Sequence, residues 1–401
     1  MQAVSGGLRR GAARRGGCVA LLLAATYSSL AASAEWYVEP MVKTEFESND
    51  NRALTTGPHE RVNGVVFDVS GLLGRRTERS ELRFAPRLRS ARYSGDEDLD
   101  SDDTYLDGLW SYRATERSSA SLNANYTRNS TLTTEQADIG LVTAKKRRRT
   151  WNVNPSWSTL LDERNMLTLS FARTDVDYRD AQDTALTSYT YDRVDTTWTR
   201  QMTPSTDTGV TLYGSQLETP ATGNTTTDAG LQFNLNHRPF ETARLNVAAG
   251  WHRSEFEQEA GGSTFRGSET GWLASFTAER EAERSALRFN ASRSINPSGV
   301  GSLVRTDEVT LSWYRALTAL QSASVAIRTF RTEPLDERLT SDNRRFWRGD
   351  ARWNWRASED WSLSAGYQHT RQRQEAASEI ASSNAISLTL MYVAPSRAIS
   401  R

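Results

Sequence analysis

The sequence predicts an all-β fold: a transmembrane, antiparallel, up-and-down β-barrel of about 18 strands (16–18), with short turns at one end and longer loops at the other. Three observations predict it. In the stretch 347–368, Trp347, Gly349, Ala351, Trp353 and Trp355 alternate with Arg348, Asp350, Arg352 and Asn354. After the polar turn Ala357-Ser358-Glu359-Asp360, Trp361, Leu363, Ala365 and Tyr367 alternate with Ser362, Ser364, Gly366 and Gln368. Period two is strand geometry, because successive side chains leave a pleated strand on opposite faces. The second observation is that apolar faces carry aromatics at both ends, Trp151, Trp157, Trp347, Trp355, Trp361 and Tyr392 foremost, as the two girdles of a lipid-facing band require. Third, connections alternate between turns of about 4–7 residues and loops of about 7–18, the asymmetry of barrels with periplasmic turns and extracellular loops.

From Glu35 onward the alternating runs are roughly 10–13 residues long, enough for a tilted strand to cross a bilayer. Trp36, Val38, Pro40, Val42, Thr44 and Phe46 form the first outward face. Val65, Phe67 and Val69 lead to the turn Gly74–Ser80, and Leu82, Phe84, Pro86 and Leu88 lead back, opposite Arg83, Arg87 and Arg89. Leu106, Trp110 and Tyr112 precede a turn before Leu122 and Tyr126, and a long loop through Lys146 precedes Trp151, Val153 and Trp157. After Leu167, Leu169 and Phe171 the apolar parity switches to Val176 and Tyr178, which predicts a β-bulge. The same hairpin recurs through Trp198 and Leu212, Phe233 and Val247, Phe276 and Phe289, and Leu311 and Val325, ending on Ile386, Leu388, Leu390 and Tyr392. Pro40, Pro86 and Pro155 each remove a ladder donor and are expected at bulges.

Arg9, Arg10, Arg14 and Arg15, the apolar run Cys18–Ala25 and Ala32-Ser33-Ala34 predict a secretory signal peptide over residues 1–34. The barrel is then expected over 35–393, without a separate plug domain, and a short tail over 394–401. An even strand count that starts and ends at the short turns puts both mature termini in the periplasm. Cys18 is the only cysteine, so the mature chain has no disulfide, thiol nucleophile or thiolate metal site. Removing four arginines from 49 basic residues leaves 45 against 49 acids, about −4. Nothing in that balance favours nucleic acid. Hydrophobic residues at 37% and a mean hydropathy of −0.62 fit strands that average a lipid face with a wet one.

The segment 126–157, with Arg-x-Ser-Thr-Leu at 128–132, Gly140, the arginines before the strand and Pro155-x-Trp157, followed by Leu161-Asp162-Glu163-Arg164, resembles the outer-membrane β-barrel proteins of exosortase-type (PEP-CTERM) exopolysaccharide systems of Gram-negative bacteria. The resemblance implies an outer-membrane address and a part in polysaccharide export. It carries no catalytic motif.

Four groups of residues are candidates for function. The loop 94–103 places six acids between Asp96 and Asp103; Asp96, Asp98, Asp100 and Asp102 could offer oxygen ligands to a divalent cation, though a solvated loop is the simpler reading. Lys145, Lys146, Arg147, Arg148 and Arg149 sit where a long loop re-enters the membrane, at the level of lipopolysaccharide phosphates, which arginine forks suit; a solvated basic run is the simpler alternative. These acidic and basic loops could also pair across the mouth as a constriction. Inward Arg83, Arg87, Arg89, Arg113, Arg348 and Arg352, facing Glu39, Glu45, Asp107 and Asp350, predict a charged lumen that either tunes selectivity or fills with structural ion pairs. Of four histidines only His252 points inward near the outer rim, and no particular Ser or Asp is paired with it in sequence, so no enzyme is expected. No cofactor is expected either.

The expectation for function is therefore a porin-like channel or export conduit, since barrels of 16–18 strands are wide enough for water. The alternative is a non-conducting barrel whose loops hold polysaccharide or lipopolysaccharide. Expected partners are outer-membrane lipid, polysaccharide and, through the fold alone, the β-barrel assembly machinery.

Overall fold

The computed structural model describes residues 34–95, 99–131, 145–182, 184–260, 263–335, 343–374 and 380–400. The first nine strands are β1 (Glu35–Asn49), β2 (Val62–Arg76), β3 (Ser80–Tyr93), β4 (Ser101–Arg113), β5 (Ser118–Ser130), β6 (Arg147–Leu160), β7 (Asn165–Arg179), β8 (Tyr189–Thr203) and β9 (Thr206–Thr219). They continue as β10 (Asn224–Phe240), β11 (Ala243–Ala260), β12 (Ser263–Ala282), β13 (Ser285–Pro297), β14 (Leu303–Ala316), β15 (Gln321–Pro334), β16 (Arg344–Arg356), β17 (Trp361–Gln374), β18 (Ile380–Val393) and β19 (Arg397–Ser400). Each strand from β1 to β18 pairs antiparallel with its neighbour in sequence, and β1 pairs with β18 from Met41↔Val393 to Asn49↔Ala385. The result is a closed 18-strand antiparallel barrel, extended at its seam by β19. No helix among the described residues is long and apolar enough to cross a membrane; this chain crosses with strands, which satisfy all backbone donors and acceptors only when the sheet closes on itself.

Alternation decides which face each residue takes. In β2, Val62, Gly64, Val66 and Asp68 are buried while Asn63, Val65, Phe67 and Val69 are exposed. The apolar side is thus turned outward, the inverse of a water-soluble sandwich and the arrangement lipid requires. Trp151, Trp157, Trp347, Trp355 and Trp361 are all exposed on that outer face, and the Trp361 and Tyr392 rings meet at 4.9 Å. Trp347 and Trp355 bracket the band on β16. Eight residues at about 3.4 Å each, tilted by 35–45°, separate them by roughly 19–22 Å, close to an apolar band of about 25 Å.

Beyond β18, Arg397–Ser400 pairs with Glu35–Val38. Between Val393 and Arg397 the chain has one residue more than β1 has between Met41 and Val38, so the bulge at Pro40 lies in its partner. Pro86 and Pro155 make no bulge; the β2–β3 and β6–β7 ladders skip rungs beside them and resume in the same register. A missing N–H deletes a rung without inserting a residue.

No bulge occurs at Val176 and Tyr178 either, since β7 keeps one register with both neighbours. Both side chains point into the barrel, where they are buried. Finally, two predicted long loops are largely taken up by strand: only 220–223 separate β9 from β10, and β12 begins at Ser263 after β11 ends at Ala260, because β10, β11 and β12 extend to 17, 18 and 20 residues.

Candidate functional site

The lumen divides by height. Toward the loop end the inward residues, among those described, are buried in three clusters. The largest joins Val176, Tyr178, Tyr189, Tyr213, Leu217, Leu273, Ile295, Leu303 and Leu335. Two smaller ones are built on Leu54, Phe330, Phe346 and Ala381, and on Val62, Val66, Ala91 and Tyr93. Toward the turn end the inward side chains are wet: Leu109 is 40% exposed although it faces the lumen. The barrel is therefore a vestibule open at the turn end and narrowed at the loop end.

The hairpin β13–β14 explains much of the narrowing. The β12–β13 ladder stops at Ala274↔Arg293, while β12 continues beside β11 to Ser263 and β13 continues beside β14 to Pro297. Freed from β12, the hairpin tip reaches across the mouth to strands that are not its neighbours. Thr219 Oγ1 on β9 donates to Gly301 O at 2.9 Å, and Thr187 N donates to Gly299 O at 2.8 Å. Gly301 has φ +74°, and a Cβ there would meet Thr219 at 2.6 Å, so only glycine allows this contact.

Between the narrowing and the open end runs a cavity of about 560 Å³ against the wall of β1–β4 and β15–β18. Lys43, Arg52, Arg87, Arg89, Arg348 and Arg352 line it with Glu45, Glu47 and Asp350, six cations to three carboxylates among the described residues. Strand register sets the ionic pattern. Lys43, Asp68, Arg89 and Asp103 stand directly opposite one another in a single row of alternating charge. Arg89 holds Asp103 at 3.1 Å, and Arg87 reaches Asp68 at 2.8 Å; Asp68 is 3% exposed and Arg87 42%. Arg348 grips Asp350 at 2.9 Å and Arg83 grips Glu81 at 2.7 Å. Arg113 and Arg352 are inward and exposed. Across the lumen, β5–β13 adds hydroxyls and amides, Ser121 to Ser156 at 2.7 Å, Thr197 to Thr211 at 2.9 Å and Thr277 to Asn290 at 3.0 Å, beside the inward ion pairs Arg193–Asp195 at 2.7 Å and Arg288–Glu279 at 2.8 Å.

The basic run is split by alternation. Arg147 and Arg149 take the outward face of β6, Arg148 faces the lumen, and Lys145 and Lys146 precede the strand. Asp96 and Asp98 lie outside the described residues. Asp100 Oδ1 accepts the Tyr93 N–H at 2.7 Å, and Asp102 accepts Ser90 Oγ at 2.8 Å and Arg92 Nη2 at 2.9 Å. Asp102 points outward with Arg92, away from the mouth. No group of three His, Cys, Asp or Glu able to hold a metal occurs among the described residues.

Sequence reasoning missed what surrounds His252. Its Nδ1 lies 2.9 Å from Asp228 Oδ1, which also accepts Ser254 Oγ at 2.6 Å. A catalytic triad needs acid and nucleophile on opposite ring nitrogens. Here both sit on the Nδ1 side, Ser254 is fully buried, and Nε2 abuts Gly271, where a Cβ would come within 2.5 Å. The trio is built as a buried brace between β10 and β11.

No family model matches the chain, and no curated protein does. Solved structures with a similar barrel include the FrpB iron transporter of Neisseria meningitidis (10% identity, TM-score 0.46, 84% of this chain and 62% of that one). Others are OccAB4 of Acinetobacter baumannii (10%, 0.46, 91% and 98%) and OpdK of Pseudomonas aeruginosa, crystallised with vanillate (11%, 0.47, 90% and 99%). This chain thus spans less than two thirds of the iron transporter. These likenesses concern barrel shape alone.

Proposed function

We propose that this chain is an outer-membrane channel, porin-like in its work, which passes small polar solutes and prefers anions. The single observation that supports this most is the wet, turn-side lumen whose cavity is lined by six cations and three carboxylates. Pairing places the cations without hiding them: Arg87 and Arg348 keep 42% and 37% of their side chains exposed. Rings of such side chains set the sign of the permeating ion. In this reading the short turns and both mature termini face the periplasm, and the inward β13–β14 tip limits passage at the cell surface. Arg147 and Arg149 meet lipopolysaccharide phosphate from the outward face. Service to exopolysaccharide export rests on the resemblance over 126–164 and is part of the same proposal.

A second reading follows from the three buried clusters: a barrel stopped at its loop end, holding polysaccharide or lipopolysaccharide without conducting. Single-channel recording of the refolded barrel, residues 35–401, in a planar bilayer under a salt gradient decides between them. Steady conductance with an anion-selective reversal potential, reduced by Arg87→Gln and Arg352→Gln, is the expected result. A folded, heat-modifiable protein that never conducts would sink the channel.

A further inference from the structure

The outer surface of β13–β17 carries one register row that reads Arg293, Asp307, Arg331, Arg345, Arg373, each directly opposite the next. Arg293 grips Asp307 with two bonds at 2.6 and 2.7 Å and lies over the Trp272 ring at 3.9 Å. Three arginines in succession then face outward on adjacent strands. Strands stand about 4.8 Å apart, so Arg331, Arg345 and Arg373 span roughly 10 Å of rim. Glu333 contacts both Arg331 and Arg305, so carboxylate and guanidinium groups are interleaved beside the row.

Below the row the wall is hollowed. Ala249, Ala274 and Ala291 line a groove of about 710 Å³ with Phe276 and Val309, and Arg293, Arg331 and Arg345 line the same groove beside Asp307 and Glu308. Guanidinium groups and apolar lining belong to one surface feature. It lies on the lipid side, at the outer edge of the band that Trp347 marks on β16.

We infer that this face of β12–β17 is a seat for a phosphorylated glycolipid of the outer leaflet, of the lipid A type. The arginine row takes the sugar phosphates and the alanine-lined groove takes an acyl chain. Planar guanidinium forks match phosphate oxygens in pairs, and the register sets the forks of adjacent strands side by side. The site is separate from the Arg147 and Arg149 face of β6, and it rests on the membrane-barrel reading proposed above.

Native mass spectrometry of the detergent-solubilised barrel, titrated with hexa-acylated bis-phosphorylated lipid A, tests it. One lipid A is expected to stay bound through delipidation, at least tenfold more tightly than the same lipid without phosphates or than phosphatidylglycerol. Arg331→Gln/Arg345→Gln/Arg373→Gln should weaken that binding at least tenfold. Ala274→Trp, which fills the groove and keeps every charge, should weaken it comparably, while Arg117→Gln in a turn should not. Equal binding of the three lipids, or a triple variant that binds as the parent does, would overturn the site. If the parent inserts into vesicles and is heat-modifiable, such a result leaves the barrel reading intact. Failure of the parent to insert at all would remove both.

Discussion

The two halves of the lumen are made of the same strands and yet obey different rules. At the loop end an inward residue is treated as interior: Leu217 is 1% exposed, and Asp228, His252 and Ser254 are buried with mutual hydrogen bonds. At the turn end an inward residue is treated as surface: Leu109 is 40% exposed. Pleat and closure are common to both, so neither causes the difference. It comes from what folds in from above, since the β13–β14 tip and its neighbours cover one half only. Stability is thereby stored at the loop end and access is kept at the other.

The contrast can be broken most directly at its buried pole. Leu217→Ala should cost about 2–5 kcal/mol, as deletions in filled cores do, whereas Leu109→Ala should stay within about 0.5 kcal/mol, as at a wet surface. Denaturant titration followed by the folded-band shift on gels measures both, and equal costs would erase the distinction. Cutting the hairpin tip tests the cover itself. Replacing residues 298–302 by two glycines removes the Thr219 and Thr187 contacts, and single-channel conductance should rise severalfold with ion selectivity kept.

Arg87→Gln probes the boundary between the halves. It leaves Asp68, 3% exposed, facing Lys43 at 3.9 Å. Because Arg87 is partly solvated, the loss should be on the order of 1–2 kcal/mol, below the roughly 3–5 kcal/mol of a fully buried pair. Anion preference should fall with it.

The smallest effects come from pH, at one carboxylate beyond each end. Burial pushes the Asp50 carboxyl up, but the Asn384 side chain and backbone N–H, at 2.7 and 2.6 Å, with His59 and Arg61 nearby, outweigh it and hold it below its ordinary 3.8. At the turn end the backbone N–H of Arg164, then the Asn165 amide and backbone, hold Asp162 below its ordinary value. A depressed carboxylate stabilises the fold above its unfolded pKa, and that contribution disappears as pH falls through the lower folded value. Stability should therefore drop below about pH 4, and Asp50→Asn should flatten the drop more than the fully exposed Asp162→Asn. Denaturation midpoints between pH 2 and 6 would check the order.

The outward half of the fold was legible because lipid enforces period two: Trp347 to Trp355 could be read off β16 without any partner strand. Closure and the strand number were legible for the same reason, and with them the alternation of turns and loops outside β9–β12. The inward half was less so. Val176 and Tyr178 break parity in sequence, and an apolar residue facing inward looks identical to a bulge until the cover above it is known. The extra length of β10, β11 and β12 was hidden because threonines and glutamates extend a ladder as readily as they fill a loop. The ion pairs of the cavity, the His252 brace and the arginine row are cross-strand objects. Arg293 and Arg373 lie eighty positions apart in the chain and within one row on the wall. A contiguous run such as 145–149 draws notice in one dimension, yet alternation sends its members to opposite faces.

The seam between β1 and β18 sets the order in which this wall can be made. Thr389 donates to Glu45 across 344 positions of chain. Until the final strand has been synthesised, the edge of β1 holds a line of unsatisfied donors and acceptors that hydrocarbon will not tolerate. A ring whose last stave closes on its first gains nothing from being half finished, and contacts this distant in sequence are slow to form. Loss of the last fourteen-residue strand would therefore cost the membrane protein as a whole, not one eighteenth of it.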